Sequence, residues 1–551
     1  MLTGVMTCQP DLGSFSSSDG IYTTIRSSLD RWKASRKILA DSISSYLSAC
    51  TTLHAHCTAP AQQSGTNTLL KEALATVNSE LESLKTEEQN LCNMRASLSA
   101  IRNHSTALSP INSLPPEILS QIFAQSRVHC ARDKSKELRF HDIAAVCAYW
   151  RRVALNSADL WAHIDVGPGT PEKLTKLLLD RTVNRPIHVH VYEAESETSS
   201  TFKYETERTL RLLGPHMRRA VSLDVESYGS SRIFTSSVLN LWLSLSSQEF
   251  STPRSLLVYR PNGEIVLSSH GRSDKSLRLF SKNAKDVLKS IARLHLQDVI
   301  LDWDSCAHQG LVDLRLSFPT GDASLSILHL ANMLAASSKL AILKLGNIKV
   351  TKSEDDKPCH IALPSLKVLN LVELGHDSVK LLLPLISVPY SGELELGLPA
   401  CRHMHEELVG FFTRCSVSTF FYSFYREDDS LTLPPSLLPS LPSIPNMILR
   451  RFDIDSTIDA EIGHTPGSHP HPHLPNVKLV SCSVTLSGLK SLINQHGVQD
   501  LHLERCNKSG EERQDLQDIQ ACILESYPNI RLCISEIDSV SQASYGSIFD
   551  R

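Results

Sequence analysis

The chain has 551 residues, enough for roughly three or four domains of ordinary size. Its apolar share of 41% and charged share of 21% are typical of folded proteins, which excludes a wholly disordered chain. Because 55 Lys and Arg residues nearly balance 59 Asp and Glu residues, a chain-wide nucleic-acid or anionic-membrane surface is not expected. No signal peptide and no apolar stretch of roughly 18–20 residues is visible. We therefore expect an intracellular protein of the cytoplasm, the nucleus or both.

Fourteen cysteines are spread along the chain without a Cys-x-x-Cys pair. Several, such as Cys147, Cys482 and Cys506, stand in apolar patterns, where a free thiol behaves as a small hydrophobic group. We interpret the cysteines as reduced core residues in a reducing compartment.

Residues 1–20 are rich in Ser and Gly, and we expect a disordered tail. From residue 21 to 104, apolar residues recur in alternating steps of four and three. This spacing averages 3.5 residues, which is the repeat of a coiled-coil seam. The seam consists of Ile25, Leu29, Trp32, Leu39, Ile43, Tyr46, Cys50, Leu53 and Cys57, followed by Leu70, Leu74, Val77, Leu81, Leu84, Leu91 and Leu98.

A short loop containing Pro60 and Gly65 divides this stretch, which predicts an antiparallel coiled-coil hairpin roughly 50 Å long. Charged residues weaken the seam at Glu88, Arg95 and Arg102. Two alternatives stay open: the helices pack on the rest of the protein, or they oligomerise.

Residues 110–166 predict a small helical unit. Pro115 and Pro116 suit a helix start, where a proline has no hydrogen bond to lose, and Glu117 complements the helix dipole. Apolar residues recur at helical spacing on both sides of a polar insert at 129–139. So much apolar surface in a small unit indicates that a partner or a neighbouring domain covers part of it.

Three strings in this unit, INSLPPEILSQIF, VCAYWRRVA and DLWAHIDV, carry a more specific signal. They resemble the F-box motif of the F-box-like family, whose pattern is Leu-Pro-x-Glu-Ile-Leu-x-x-Ile-Phe, then Val-Cys-x-x-Trp, then Leu-Trp. The polar insert is longer than in the shortest F-boxes. The resemblance implies docking on the Skp-type adaptor of a cullin-RING ubiquitin ligase, and through the adaptor on a cullin.

The residues that the resemblance assigns to adaptor binding are Leu114, Pro115, Glu117, Ile118, Leu119, Ile122, Phe123, Val146, Cys147 and Trp150. The alternative is that these residues form only the core of a helical domain.

Within residues 171–535, the pattern Leu-x-x-Leu-x-Leu recurs from Ile291 to Leu503, with other apolar residues in some copies. Most copies stand 20 to 29 residues apart, the period at which a leucine-rich repeat supplies one strand and a return segment. In leucine-rich repeats the pattern continues to an Asn or Cys three residues after the last leucine. Two copies have a cysteine at this position, Cys482 and Cys506. We predict an α/β leucine-rich-repeat-like solenoid followed by a tail at 536–551, with an open α/β sheet as the alternative.

Because strand side chains alternate, the residue between the closing leucines of each copy is predicted to face outward on a target-binding surface. Arg315 and Lys344 are adjacent in this row, which suits an acidic or phosphorylated target segment; an ordinary solvated face that binds nothing is the alternative. The predicted row is His295, Arg315, Lys344, Asn370, Glu395, Phe421, Lys478 and His502.

Motifs for catalysis are weak. His405 and Glu406 match the first two residues of the His-Glu-x-x-His motif of zinc proteases, but Val409 occupies the position of the second histidine. The histidines at 469, 471 and 473 alternate with prolines, and a solvated loop explains them better than a metal site. We expect no catalytic residue, no metal and no cofactor.

Two functional classes remain. The first is a substrate-recognition subunit of an SCF-type ubiquitin ligase, with the F-box on the adaptor and the repeats on a target protein. The second is a non-enzymatic leucine-rich-repeat scaffold that oligomerises through its N-terminal coiled coil. Neither class requires nucleic acid or a membrane as a partner.

Overall fold

The chain divides into two compact units, residues 1–113 and 114–551. None of the described helices combines the length and the apolar content that a membrane-spanning helix needs. The predicted tail at 536–551 and most of the insert at 129–139 lie outside the described residues. The computed structural model describes residues 18–58, 67–104, 109–130, 140–167, 170–193, 207–208, 210–228, 232–245, 254–260, 265–268, 276–278, 284–301, 310–319, 324–352, 360–388, 394–401, 404–424, 431–432, 437–455, 473–508 and 516–535.

The first unit contains two long helices, α1 (Ser18–Thr58) and α2 (Asn67–His104). Helix α1 therefore begins before residue 21, inside the expected tail. Desolvation, Cys50 and the charges of Glu80 and Glu87 raise the pKa of the Tyr46 hydroxyl. Tyr46 lies in the second half of α1, and Glu80 lies in the first half of α2.

The apolar seam of the first unit stays open to solvent. Every described side chain of α1 from residue 23 to 56 is exposed, including Ile25 at 60% and Trp32 at 41%. On α2, Leu74, Leu81 and Leu98 are also exposed. Within the described part of this unit, much apolar surface is thus uncovered.

The second unit begins with three helices and a 3₁₀ turn. These are α3 (Pro116–Cys130), α4 (Phe140–Val146), α5 (Ala148–Asn156) and the turn Ala158–Trp161. Cys147 caps α5, because its Sγ accepts a hydrogen bond from the amide of Trp150 at 3.4 Å.

A fourteen-stranded parallel sheet follows directly. Its first strand starts before the expected position 171 and contains the last four residues of the predicted helical unit. The strands are β1 (His163–Val166), β2 (Ile187–Glu193), β3 (Ala220–Ser227), β4 (Arg254–Tyr259), β5 (Ile291–Gln297), β6 (Asp313–Ser317), β7 (Ile342–Gly346), β8 (Val368–Asn370), β9 (Leu394–Pro399), β10 (Val417–Ser423), β11 (Asn446–Arg450), β12 (Asn476–Val480), β13 (Asp500–Glu504) and β14 (Arg531–Ser535).

Each strand of this sheet lies beside the strands that precede and follow it in the chain. Return segments between them carry helices and short strands. The helices are α6 (Glu172–Arg181), α7 (Arg232–Leu245), α8 (Ala284–Lys289), α9 (Ile327–Ala335), α10 (His376–Leu382), α11 (His405–Phe412), α12 (Leu437–Ser440), α13 (Leu486–His496) and α14 (Leu516–Ser526), with 3₁₀ turns at Gly214–Arg219 and Leu383–Leu385.

The short strands form four small sheets beside the long one. Their bounds are Ile265–Ser268, Ser276–Arg278, Val299–Leu301, Ser324–Ser326, Lys349–Thr351, Ile361–Ala362, Ile386–Ser387, Leu431–Thr432, Phe452–Ile454, Ser483–Val484 and Asn507–Lys508. The proline-containing segment at 431–445 includes a short strand and α12.

Leucines from neighbouring strands meet at matching positions on one face of the long sheet. Leu294, Leu314, Leu343, Leu369 and Leu396 are Cα partners in succession, and all are fully buried. They belong to a single core cluster with residues of the return helices. The prediction that the strand leucines point into the core is confirmed.

The chain turns at the end of several strands through one left-handed residue. Asp298, Asn347, Arg451, Ser481 and Arg505 each follow a strand immediately, with φ between 50° and 63°. Their amides donate hydrogen bonds to carbonyl groups near the end of the next strand, such as Ser481 to Glu504 at 2.8 Å. This bond offsets the steric cost of a left-handed conformation in a residue with a side chain.

Buried thiols connect successive strands at the C-terminal end. Cys482 Sγ donates a hydrogen bond to the Leu449 carbonyl oxygen at 3.4 Å, and Cys506 Sγ donates one to Leu479 at 3.3 Å. Both cysteines are in the core, as predicted. That interpretation is wrong for three other described cysteines, which are exposed: Cys50, Cys92 and Cys533.

Substitution of Gly488 tests the close packing of a return helix. A Cβ added at Gly488 would lie 2.4 Å from the backbone oxygen of Ile454, so Gly488→Ala is expected to lower the free energy of unfolding by about 2 kcal/mol. Gly410→Ala is the control, because that Cβ meets only the flexible end of Arg414 at 3.5 Å. Urea unfolding measures both, and equal stability of the two variants would contradict this packing.

Candidate functional site

The helices at the start of the second unit pack around a small core of their own. Leu119 and Phe123 of α3 are buried against residues of α4 and α5. The rings of Phe123 and Trp150 lie 4.8 Å apart, and the Tyr149 hydroxyl donates a hydrogen bond to the Leu114 carbonyl at 2.9 Å. Leu119 and Phe123 are therefore core residues, which corrects their assignment to an adaptor-binding surface.

The other face of α3 points to solvent. Ile118 is 42% exposed and Ile122 is 37% exposed, and the two lie one helical turn apart. Pro115 and Glu117 at the start of the helix are also exposed. These four residues are called the α3 surface below. The two isoleucines give the α3 surface an apolar centre.

The remaining residues of the predicted adaptor set occupy intermediate positions. Leu114 and Trp150 are half-buried and pack against the small core, and Cys147 caps α5. Val146, at the end of α4, is 54% exposed. Of the ten predicted residues, five thus remain accessible on the described surface: Pro115, Glu117, Ile118, Ile122 and Val146.

Comparison with protein-family models gives one match, to the family described as F-box-like, over residues 111–166. The chain contains an F-box-like domain. The exposed α3 surface and the small helical core both lie within the matched range. No curated protein matches the chain.

The F-box-like domain ends inside the long sheet, because β1 lies within the matched range and pairs with β2. Trp161, just before β1, donates a hydrogen bond from Nε1 to the Ala154 carbonyl at 3.0 Å. The guanidinium of Arg181 on α6 lies 4.4 Å from the Trp161 ring centroid. Trp161 thus joins α5 of the domain to the first return helix of the sheet.

On the face of the sheet opposite the leucines, one residue of each strand is the Cα partner of one residue of the next strand. These residues form a continuous row across the sheet, here called the central row. Seven of the eight predicted target-binding residues lie on it, and Glu395 does not. The row runs Asp165, His190, Asp224, Leu257, His295, Arg315, Lys344, Asn370, Gly397, Phe421, Ile448, Lys478, His502 and Cys533.

Glu395 lies two residues away, so the predicted register of β9 is wrong by two residues. Leu396, not Leu394, is the partner of Leu369, so Gly397 takes the central-row position. Glu395 faces the same side of the sheet, between Val368 and Thr419.

The middle of the central row is not a solvated surface. His295, Lys344, Asn370 and Phe421 are buried, and Arg315, Lys478 and His502 are half-buried. Phe421 packs with Val372, Val480 and Ile448 in a separate apolar cluster on this face. The seven predicted residues on the central row face away from the leucine core, as predicted. Their expected exposure to solvent is wrong, because side chains of several strands pack against one another on this face.

An ionic cluster occupies the centre of the row. Asp313 lies 2.9 Å from His295 Nε2 and accepts hydrogen bonds from Arg315 Nε at 3.0 Å and Nη2 at 3.1 Å. Burial opposes ionisation of Asp313, but His295 and Arg315 outweigh it and lower its pKa to about 2. Burial lowers the pKa of His295, although Asp313 opposes that change. The carboxylate therefore stays charged inside the sheet face.

A second buried carboxylate lies near the end of the sheet. Glu504 is fully buried, and Lys478 Nζ lies 2.7 Å from its Oε2. The pKa of the neighbouring His502 is lowered by burial and by the charge of Lys478. Lys478 is thus held by Glu504, which limits its availability to a partner.

A further cluster of charged residues lies at the beginning of the row and is not among the residues predicted from the sequence. His190 Nδ1 lies 3.3 Å from Asp165 Oδ1, and its Nε2 lies 3.6 Å from Glu226 Oε1, with Asp224 beside them. Burial opposes protonation, but the carboxylates of Asp165, Glu226 and Asp224 raise the pKa of His190 to about 9. The signal in the sequence was the alternation of IHVHV and AVSLDV, which places these residues on one face without showing that the faces meet.

Replacement of Arg315 tests the ionic cluster. Arg315→Gln removes two hydrogen bonds from buried Asp313, so we expect its pKa to rise and the free energy of unfolding at pH 7 to fall by about 1–2 kcal/mol. Because the folded-state pKa is depressed, the difference from wild type is complete above about pH 4 and disappears as the pH falls through about 2. Urea unfolding across this range measures it.

Lys349→Gln is the matched control, since Lys349 is exposed on a short strand and carries the same charge. A loss of stability in Arg315→Gln that did not change between pH 7 and pH 2 would contradict the ionic role of Asp313.

Proposed function

We propose that this protein is a substrate-recognition subunit of an SCF-type ubiquitin ligase. The observation that carries the proposal is the F-box-like domain, with Ile118 and Ile122 of the α3 surface exposed on it. The domain docks on a Skp-type adaptor and reaches a cullin through it. The protein supplies no catalytic residue, because ubiquitin transfer is carried out by other subunits, and it acts in the cytoplasm or the nucleus.

In this proposal, the long sheet and its return segments form an irregular leucine-rich-repeat-like solenoid. Three observations support this interpretation: strands in chain order, left-handed corners after the strands, and buried thiols at the repeat positions Cys482 and Cys506. Each return segment packs on the same leucine core as its strand. Such an array presents one extended face to a partner.

Target recognition is assigned to the polar face of the sheet, at the central-row positions that keep solvent access. Arg315, Lys478 and His502 are half-buried there, whereas Lys344 is 3% exposed. An acidic target segment remains the partner that this face favours, with Arg315 as its first contact. Buried Lys344 contributes positive potential rather than a direct contact.

Adaptor binding is tested with Ile118→Ala, Ile122→Ala. Both side chains are exposed, so their truncation creates no cavity in the core and we expect the fold to persist. We expect adaptor affinity to fall by about tenfold or more. Co-purification and calorimetry with the adaptor measure the loss.

The matched control is Leu174→Ala, Leu177→Ala, which removes two exposed leucines from α6, outside the F-box-like range. Equal adaptor affinity in the α3 variant and the wild type would overturn the proposal. Leu114 and Trp150 are poorer probes, because both pack against the small core and their truncation would lower stability.

A second candidate function is that of a scaffold that oligomerises through its N-terminal coiled coil. The open seam favours it, since Leu39 and Ile43 of α1 remain 43% and 42% exposed beside α2. Seam residues repeated every 3.5 positions suit a second copy of the same hairpin.

The scaffold candidate is tested by sedimentation of the full chain. We expect an oligomer that Leu39→Glu, Ile43→Glu converts to a monomer, because two charges enter the seam. Ser44→Glu, Ser48→Glu adds the same charge on the opposite side of α1 and should leave the oligomer intact. A monomeric wild-type chain would contradict the scaffold candidate and would favour an intramolecular hairpin of the two helices.

A further inference from the structure

The cluster at the beginning of the central row has the composition of a cation site. His190 lies on β2, and Asp224 and Glu226 lie on β3, two residues apart and therefore on the same face. One ligand atom from each residue lies within 4.8 Å of the others. Within the described residues, this is the one group of three metal-ligating side chains that meets that condition.

The imidazole is oriented as in a metal-binding histidine. Nδ1 faces the carboxylate of Asp165 at 3.3 Å, which leaves Nε2 to point toward Asp224 and Glu226. Metal-ligating histidines characteristically direct the second ring nitrogen to a carboxylate in this way. Nε2 is buried and makes no hydrogen bond to any described residue.

Glu226 is also held in place. The Tyr228 hydroxyl donates a hydrogen bond to Oε2 at 3.4 Å, whereas Oε1 faces His190. Glu226 is 5% exposed, Asp224 is half-buried and Asp165 is exposed. The group thus has a buried side formed by Glu226 and an entry path from solvent beside Asp165.

Charge and geometry both admit a divalent ion. Three carboxylates face one imidazole, so negative charge is in excess. Zinc binds the neutral imidazole, so the Nε2 proton is released to solvent as the ion binds. A zinc ion with bonds of about 2.0–2.1 Å holds its ligands about 3.3 Å apart. His190 Nε2 and Glu226 Oε1 lie 3.6 Å apart, close to that spacing, and the Asp224 ligand atom lies within 4.8 Å of both.

We propose that His190, Asp224 and Glu226 bind a zinc ion, with Asp165 as a positioning residue that orients the imidazole. One nitrogen and two oxygen ligands suit zinc better than magnesium, which prefers oxygen ligands and retains its waters. The bound ion cross-links β2 to β3 at the end of the sheet next to the F-box-like domain. It stabilises the folded chain, since a ligand that binds only the folded state shifts the unfolding equilibrium.

The test uses the full chain, stripped with a chelator and titrated with zinc chloride or magnesium chloride by calorimetry. We expect one zinc ion to bind and to raise the melting temperature by about 5 °C when zinc is well above its dissociation constant. His190→Ala and Glu226→Gln should each weaken zinc binding at least tenfold. Asp165→Asn keeps all three ligands and should weaken it about tenfold.

His188→Ala is the matched control, because His188 lies two residues earlier on β2 and stacks on His163 at 4.5 Å, outside the cluster. Its zinc affinity should equal that of the wild type. Unchanged affinity in Glu226→Gln, a variant that preserves side-chain shape, would overturn the proposal. Equal affinity for magnesium and zinc would also overturn it, since this would indicate an unspecific acidic patch.

Discussion

The register of the long parallel sheet is the constraint on which the rest of this protein depends. Side chains alternate between the two faces of a strand, so a slip of one residue would move a buried leucine to the polar face. Leu294, Leu314 and Leu343 are matched partners in successive strands, and Leu369 and Leu396 continue the match. Burial of the leucine face drives this alignment, because each fully buried leucine contributes about 1.5–3 kcal/mol.

The same alignment has a consequence on the other face. Charged and polar residues of successive strands are brought into one row, and packing in the middle of the row removes them from water. A buried charge is tolerated only when it has a partner. Asp313 has His295 and Arg315, and Glu504 has Lys478. The central row is therefore a network of ion pairs as well as a surface.

Continuity between the helical domain and the sheet shapes the proposed role. The matched range of the F-box-like domain includes β1, and Trp161 contacts both α5 and the Arg181 side chain of α6. No flexible linker lies between Trp161 and β1, because the strand begins two residues later. A target held on the sheet face would thus have a defined position relative to an adaptor held on α3, as ubiquitin transfer to a bound target requires.

The sequence by itself determined the elements that depend on local pattern. Spacing of three and four predicted α1 and α2, and the Leu-Pro-x-Glu motif predicted the F-box-like domain. The leucine pattern predicted β5 to β10, β12 and β13 and their buried side. Only the tertiary structure decided which residues stay accessible. Leu119 and Ile118 match the same motif, yet the first is in the core and the second is in water. Contacts between residues far apart in the chain decide such questions. They bury Lys344, place Glu395 off the central row, and bring His190 beside Glu226 on the neighbouring strand. Periodicity assigns a residue to a face of its own strand or helix, but burial and the meeting of side chains depend on what packs against that face.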